Sequence, residues 1–509
     1  MNKTIAELIS AIPDNANAIG APGRNWLTYR QLKDHTAAVK VSLRDANISA
    51  QDRVAIVLPN GPEMASAFIS VAQCATTAPL NPVYKEEEFL FYLEDLNAKA
   101  IILQAGYDGP ARNAADKLGL LVLELGYDED EPAGSFTLKP VGDVSEKAND
   151  SDPTENDIAL ILHTSGTTSR PKIVPLLHSN IAASAYNIAE SLSLTADDCC
   201  LNVMPLFHIH GLVAAVSTSL AAGASISCTS GFDALRFFSW LKDVDPSWYT
   251  AVPTMHQAIL SRAGRNTEII DNSRLRFLRS SSSSLPGPVM EKLGETFGVP
   301  VIEAYGMTEA AHQMCCNPIE ADKQKPGAVG MPAGPEVAIA HESENYFTDG
   351  IGEVVISGPN VTPGYESNPD ANEKSFFEAD NKKWFRTGDQ GKFDEDGYLS
   401  LTGRLKEIIN RGGEKISPLE VDGILSAHPA IAQVVCFAVP HEKLGEDVAA
   451  AVVIKEGQEA SERDIRDFAA ERLAAFKVPR KVLILDEIPK GATGKLQRIG
   501  LAEKLGLTG

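Results

Sequence analysis

Over about the first 300 residues, short apolar runs alternate with amphipathic stretches, and this rhythm constrains the fold more than any other feature. Residues 53–58 (Arg-Val-Ala-Ile-Val-Leu) read as a strand that stops at Pro59-Asn60-Gly61, and residues 63–73 follow with helical spacing. Residues 100–103 and 158–162 are further apolar strands. Strands of this kind need helices packed over them, so the rhythm predicts a layered α/β body with substantially parallel sheets. From about Val329 the texture changes to closely spaced Gly and Pro around short strands, at 352–358 and 397–401, which predicts a small β-rich subdomain. After Arg404 a compact α+β unit is expected, with strands near 434–439 and 449–454 and a helix over 462–473. The Asp-, Ser- and Pro-rich segment 141–157 reads as a surface linker.

Charge divides the chain in the same place. The net charge is −22, which argues against a protein that coats nucleic acid or an anionic membrane. From Leu405 onward there are 15 basic and 16 acidic residues, whereas the preceding 404 carry 31 and 52. A near-neutral C-terminal fifth on an acidic body predicts two units, 1–404 and a mobile 405–509. Seven cysteines without a C-x-x-C pair make a disulfide framework or zinc site unexpected and fit a reducing cytosol, hence a cytoplasmic location. The start lacks an apolar signal-peptide run, and the end is not a peroxisomal Ser-Lys-Leu. Residues 201–232 contain no charged side chain and are long enough to span a bilayer. Pro205, His208, His210, Gly211 and Gly223 within them, and acidic flanks, predict buried core instead.

The most informative segment is Thr164-Ser165-Gly166-Thr167-Thr168-Ser169-Arg170-Pro171-Lys172, placed between the strand ending at Leu162 and a helix expected near Ser179. Hydroxyls, a Gly and a Lys offer donors and charge to phosphate oxygens, although a polar surface loop has the same composition. The segment is not a G-x-x-x-x-G-K-[ST] loop. It resembles the phosphate loop of the adenylate-forming superfamily, which includes acyl-CoA synthetases, luciferases and peptide-synthetase adenylation domains. Four companion motifs follow in that family's order: Tyr305-Gly306-Met307-Thr308-Glu309, Arg386-Thr387-Gly388-Asp389, Gly403 to Glu407, and Arg411-Gly412-Gly413-Glu414-Lys415-Ile416. Pro489-Lys490-Gly491-Ala492-Thr493-Gly494-Lys495 completes the series.

The resemblance implies a large N-terminal AMP-binding domain, a mobile C-terminal domain, and use of ATP, Mg²⁺ and coenzyme A. It assigns ATP contacts to Thr164, Ser165, Gly166, Thr167, Thr168, Ser169, Lys172, Ser282, Ser283, Ser284, Glu303, Tyr305, Thr308, Glu309, Asp389, Arg404 and Lys495. Tyr305 is the expected adenine stack, Asp389 the ribose ligand, and Glu309 the Mg²⁺ carboxylate. Lys495 is expected to bridge the acid and the α-phosphate as charge develops. Thr164, His208, Glu309 and Lys495 are the expected catalytic residues. Lys406 matches the hinge, and Arg411, Gly412, Gly413 and Lys415 match the CoA-facing segment. Most relatives carry Gly after the loop lysine; here Ile173 and Val174 stand there, and a β-branched pair should stiffen the loop exit.

The acyl pocket is expected around 206–211, 279–284 and 306–313. His208, His210, Arg279, Ser280, Ser281 and His312 fall where a fatty acid would need apolar walls, so a small dicarboxylate is the expected acid. An outward salt bridge of Arg279, or structural hydrogen bonds of His210 and His312, are the alternatives. Residues 250–254, 275–280, 410–418 and 473–479 look like the oxalate–CoA ligase branch of plants and fungi. The expected reaction is oxalate to oxalyl-CoA with AMP and pyrophosphate released. Malonate or another short or medium-chain acid, or a carrier-protein thiol as acceptor, are the alternatives. No nucleic-acid or membrane partner is expected, and the sequence leaves monomer and homodimer open.

Overall fold

The protein was analysed as a computed structural model that describes residues 3–142, 144, 147–149, 151–164, 171–490 and 496–507. Two large sheets carry the N-terminal body. The seven-stranded sheet runs in the order Thr137–Pro140, Leu121–Gly126, Ala100–Gln104, Arg53–Val57, Thr76–Pro79, Ile158–Thr164, Lys172–Leu177. Its inner pairings are parallel and its two outermost are antiparallel. The nine-stranded sheet has the same plan: parallel through Val301–Met307, Phe277–Ser280, Trp248–Ala251, Cys199–Asn202, Ser225–Cys228 and Asn17–Gly20, with antiparallel strands at both ends. The helix Pro62–Ala72 is buried on every face. It contacts strands of both sheets, so its nearly uninterrupted apolar sequence is what a helix between two sheets requires.

The β-then-α reading therefore holds, with one strand added. The helix expected near Ser179 is His178–Ser191, and Lys172–Leu177 forms an antiparallel edge strand before it. Pro175 hid it, although an edge strand tolerates proline. Segment 141–157 is a surface connection, as expected, and it joins two strands of the same sheet. Its described residues are pinned to the first long helix by Lys147–Asp45 and Lys40–Asp152 ion pairs and by a bond from Arg44 to the Ser151 carbonyl.

Residues 201–232 are core, as expected. They include a wide π-helical stretch, His210–Ser217, in which every residue is buried. Among the described residues no helix is long and apolar enough to cross a membrane. All seven cysteines are free and buried. The β-rich subdomain is a five-stranded antiparallel sheet of Glu336–Ala340, Gly352–Ser357, Phe376–Ala379, Lys382–Phe393 and Leu399–Arg404. Beyond it, a second five-stranded sheet with the helices Pro418–Ser426 and Glu462–Ala470 encloses its own apolar cores.

Candidate active site

The ends of the phosphate loop are set by a hairpin stem in which Thr164 pairs with Lys172. Ile173 and Val174 lie inside that stem opposite His163 and Leu162, so the β-branched pair is strand and the loop exit is rigid. Ser165, Gly166, Thr167, Thr168 and Ser169 lie outside the described residues. Lys172 extends its ammonium over the Tyr365 ring at 4.1 Å. Burial lowers its pKa, opposed by the charge of Glu309.

The strand Val301–Met307 delivers Tyr305 and then turns through a single 3₁₀ turn, Thr308–Ala310. Only glycine fits at Gly306, where a Cβ would fall 1.8 Å from the His312 carbonyl oxygen. Tyr305 donates its hydroxyl to Asp389 at 2.5 Å, and Arg404 pairs with the other carboxylate oxygen at 3.1 Å. The cross-strand register of Asp389 with Arg404 places that pair. Glu309 is 5% exposed and accepts a bond of 2.9 Å from the Tyr365 hydroxyl. Burial raises its pKa, opposed by the Tyr365 hydroxyl and by the charges of Arg404 and Lys172. Thr362 clamps the same turn, donating its backbone N–H to the Glu309 carbonyl and its hydroxyl to that of Pro175.

Two expected contact residues are buried and hydrogen-bonded within the protein. Glu303 is 2% exposed and accepts from the Leu285 N–H at 2.8 Å, and burial pushes its carboxyl up to about 8. That bond ties it to the segment carrying Ser282, Ser283 and Ser284. Ser281 is buried with its hydroxyl committed to the Ala304 carbonyl at 2.7 Å. Ser282, Ser283, Met307, Thr308 and His208 are partly open.

At the acyl end the outward salt bridge of Arg279 is absent. Arg279 is fully buried, and among the described residues no carboxylate stands within ion-pair distance. Its guanidinium meets neutral groups: Gln313 Oε1 at 3.2 Å, His210 Nε2 at 3.4 Å, and Thr250 Oγ1 and His312 Nδ1 at 3.5 Å. Its Nε has no partner, and neither has the buried hydroxyl of Ser280. Burial lowers the Arg279 pKa to about 10, which leaves it charged at neutral pH. Burial and that neighbouring charge push both imidazoles well below the ordinary histidine value, so they are neutral. His210 accepts at Nε2 from Thr250 (2.6 Å), which leaves Nδ1–H to donate to Ser282 at 3.0 Å. His312 is held at φ 103° after Ala311 at 46°, a strained pair of left-handed residues. Ser184 and Asn360 clamp it by bonding the Ala311 and Ala310 carbonyls.

The buried carboxylates of Glu309 and Asp389 and the buried, uncompensated guanidinium of Arg279 gather around the parallel strands Phe277–Ser280 and Val301–Met307, toward their carboxyl ends. The sequence pattern of the AMP-binding enzymes matches residues 10–366. The chain belongs to the AMP-binding enzyme family. The pattern of the AMP-binding enzyme C-terminal domain matches 420–495. This AMP-binding enzyme is 46% identical over 496 residues to an oxalate–CoA ligase of Arabidopsis thaliana, covering 96% of this chain and 95% of that one. It is 40% identical over 522 residues to an oxalate–CoA ligase of Saccharomyces cerevisiae, covering 97% and 95%. The crystal structure of ATP-bound MatB from Rhodopseudomonas palustris matches with a TM-score of 0.86 at 27% identity, over 99% of each chain.

In this AMP-binding enzyme the late segment of the C-terminal unit lies beside the Ser283–Ser284 segment. Leu496 and Arg498 share a groove with Ser283 and Ser284. Lys495 itself lies outside the described residues. The hairpin carrying Arg411, Gly412, Gly413 and Lys415 is not brought to the polar cleft: Lys415 pairs with Glu342 at 2.6 Å and Arg411 with Asp447 at 2.7 Å. Gly412 at φ 62° and Gly413 at 97° form its turn, a geometry sufficient to demand glycine at both. Lys406 follows Arg404 on an exposed turn, and the next residue, Glu407, pairs with the C-terminal Arg498 at 3.1 Å.

Sequence reasoning passed over four residues of the site: Thr250, Gln313, Asn360 and Tyr365. Thr250 and Gln313 lay in stretches already marked by resemblance or as pocket walls. Asn360 and Tyr365 sit in a loop after Gly352–Ser357 and carry no periodic or motif signal.

Proposed function

We propose that the protein is an ATP-dependent acid–CoA ligase that converts oxalate to oxalyl-CoA, releasing AMP and pyrophosphate. The single observation that carries the choice of acid is the buried Arg279 without a carboxylate partner, packed with His210, His312 and Gln313 where a hydrocarbon tail would lie. A long acid would have to displace hydrogen-bonded polar groups, which costs several kcal/mol by order of magnitude. A short acid with a second negative charge instead gains the field of the guanidinium, relayed through the neutral imidazoles. The names of the Arabidopsis and yeast relatives support the same reading.

In the first half-reaction a carboxylate oxygen of oxalate bonds to the α-phosphorus of ATP as the bond to the pyrophosphate oxygen breaks. In the second, the CoA sulfur bonds to the activated carbonyl, and AMP leaves with the bonding electrons. In this reading Asp389, held by Tyr305 and Arg404, accepts the ribose hydroxyls, Lys172 brings charge to the phosphates, and His208 serves the acid. Mg²⁺ fits the site by the chemistry of its donors, because the buried Glu309 carboxylate is a hard oxygen ligand and this ion takes one or two carboxylates beside substrate phosphates. When bound, it would neutralise charge developing on the phosphates. The C-terminal unit then swings about Lys406, exchanging the Lys495 segment for the Arg411–Lys415 hairpin.

Pyrophosphate release with ATP, Mg²⁺ and CoA, measured across oxalate, malonate, succinate, acetate, octanoate and 4-coumarate, tests the reading. Selectivity for oxalate is expected. A tenfold or better kcat/KM for octanoate or 4-coumarate over both small dicarboxylates would overturn it.

The Tyr365 hydroxyl is placed to orient Glu309 while its ring supports Lys172. Tyr365→Phe keeps the ring and removes one bond to a buried carboxylate, a loss of about 1–3 kcal/mol. The expected result is roughly a 5- to 100-fold weaker binding of Mg²⁺ with a non-hydrolysable ATP analogue, by calorimetry, with oxalate selectivity unchanged.

A further inference from the structure

We propose that Gln313 sets the acid selectivity, by holding the Arg279 guanidinium with a neutral oxygen so that its charge stays available to the acid's second carboxylate. The inference rests on the oxalate reading above and adds the residue that keeps the cation uncompensated.

The orientation of the amide is fixed by its neighbours. Gln313 Nε2 lies 3.2 Å from the Ala333 carbonyl, a group that can only accept, and 3.1 Å from Ser191 Oγ. Ser191 gives its own proton to the Asn187 carbonyl at 2.6 Å and so accepts from Gln313. Both amide hydrogens are thereby used, and Oε1 faces Arg279 Nη2 at 3.2 Å. The side chain is fully buried, so it has no freedom to exchange the two ends.

A buried arginine is ordinarily matched by a carboxylate, and a glutamate would reach the same place from the same backbone. The residues around this guanidinium supply geometry without charge: an amide oxygen, a threonine hydroxyl and two neutral imidazoles. The nearest other titratable groups acting on it are the thiols of Cys200 and Cys316, and burial raises both so that they stay protonated. The charge is therefore left for a ligand. Gln313→Glu differs from the native residue mainly in charge. Beside Arg279 it would remain ionised, close the ion pair internally and cancel the attraction for a second carboxylate.

The test is ATP–pyrophosphate exchange on the full-length chain, with KM for oxalate, KM for ATP and kcat read separately. Gln313→Glu is expected to raise KM for oxalate about 100-fold or more while leaving KM for ATP within about threefold. Gln313→Met, neutral and of similar length, is expected to raise it no more than about tenfold. Partial unfolding lowers the active fraction, and with it kcat, without moving KM. A Gln313→Glu enzyme with KM for oxalate within threefold of wild type, or a Gln313→Met enzyme impaired as severely as Gln313→Glu, would overturn the assignment. If wild type selects oxalate and Arg279→Met loses it while Gln313→Glu does not, the Gln313 inference alone fails. If wild type prefers octanoate, the oxalate reading fails and this inference with it.

Discussion

Arg279→Met is expected to lower kcat/KM for oxalate by a factor of about 30 to 700, equivalent to about 2–4 kcal/mol, the range for removing one partner of a buried charge interaction. The loss should appear without unfolding, because two structural effects oppose each other. Removing an uncompensated buried cation relieves a desolvation penalty of several kcal/mol. Leaving Gln313 Oε1 and His312 Nδ1 without their donor costs about 1–3 kcal/mol each. The unliganded Tm should therefore stay within a few degrees of wild type. Oxalate added with a non-hydrolysable ATP analogue should raise the Tm of wild type beyond the analogue alone, and should not do so for Arg279→Met, since stabilisation follows binding to the native state. A variant that unfolds many degrees earlier yet keeps its preference for oxalate would make Arg279 a structural pillar and nothing more.

The features that were legible in the sequence are those fixed by local rules. The strand at Arg53–Val57 and the buried helix after it follow from apolar periodicity and the Pro-Asn-Gly break. Asp389 and Arg404 were legible as separate motif residues, and that they pair with each other follows from the strand register. The edge strand Lys172–Leu177 was hidden because Pro175 argues against a strand until its edge position is known. Arg279 illustrates the other limit. Its residue type suggested an anion site, but whether a carboxylate of the protein already occupied it depended on side chains from Thr250, His312 and Gln313, far apart in the chain. The bond that Glu303 accepts from the Leu285 N–H was likewise invisible, because the two residues lie on different elements. The strain at Ala311 and His312 has no sequence signature, because neither residue is one that ordinarily marks a left-handed backbone.

Lys495→Ala is expected to slow formation of the adenylate about 10²- to 10³-fold while leaving transfer from supplied oxalyl-adenylate to CoA within about threefold of wild type. The first step brings a carboxylate, itself anionic, onto a polyphosphate, and negative charge gathers on the oxygens between them. A preorganised cation at that point lowers the barrier by about 2.7–4 kcal/mol, judged from the loss of single stabilising donors in other enzymes. When the thiol attacks the finished anhydride, charge gathers instead on the carbonyl oxygen and on the departing AMP, a step that the proposed swing carries out with the Lys495 segment exchanged for the Arg411–Lys415 hairpin. The arrangement of the chain agrees with this division. Leu496, the next residue, borders the same groove as Ser283 and Ser284, whereas the Arg411–Lys415 hairpin is tied away through Lys415–Glu342. The proposed swing has the C-terminal unit leave this arrangement before the thioester step. Burst measurements of pyrophosphate, set against single-turnover thioester formation from oxalyl-adenylate, separate the two steps. Equal losses in both would mean that one arrangement serves both half-reactions and that the swing about Lys406 is unnecessary.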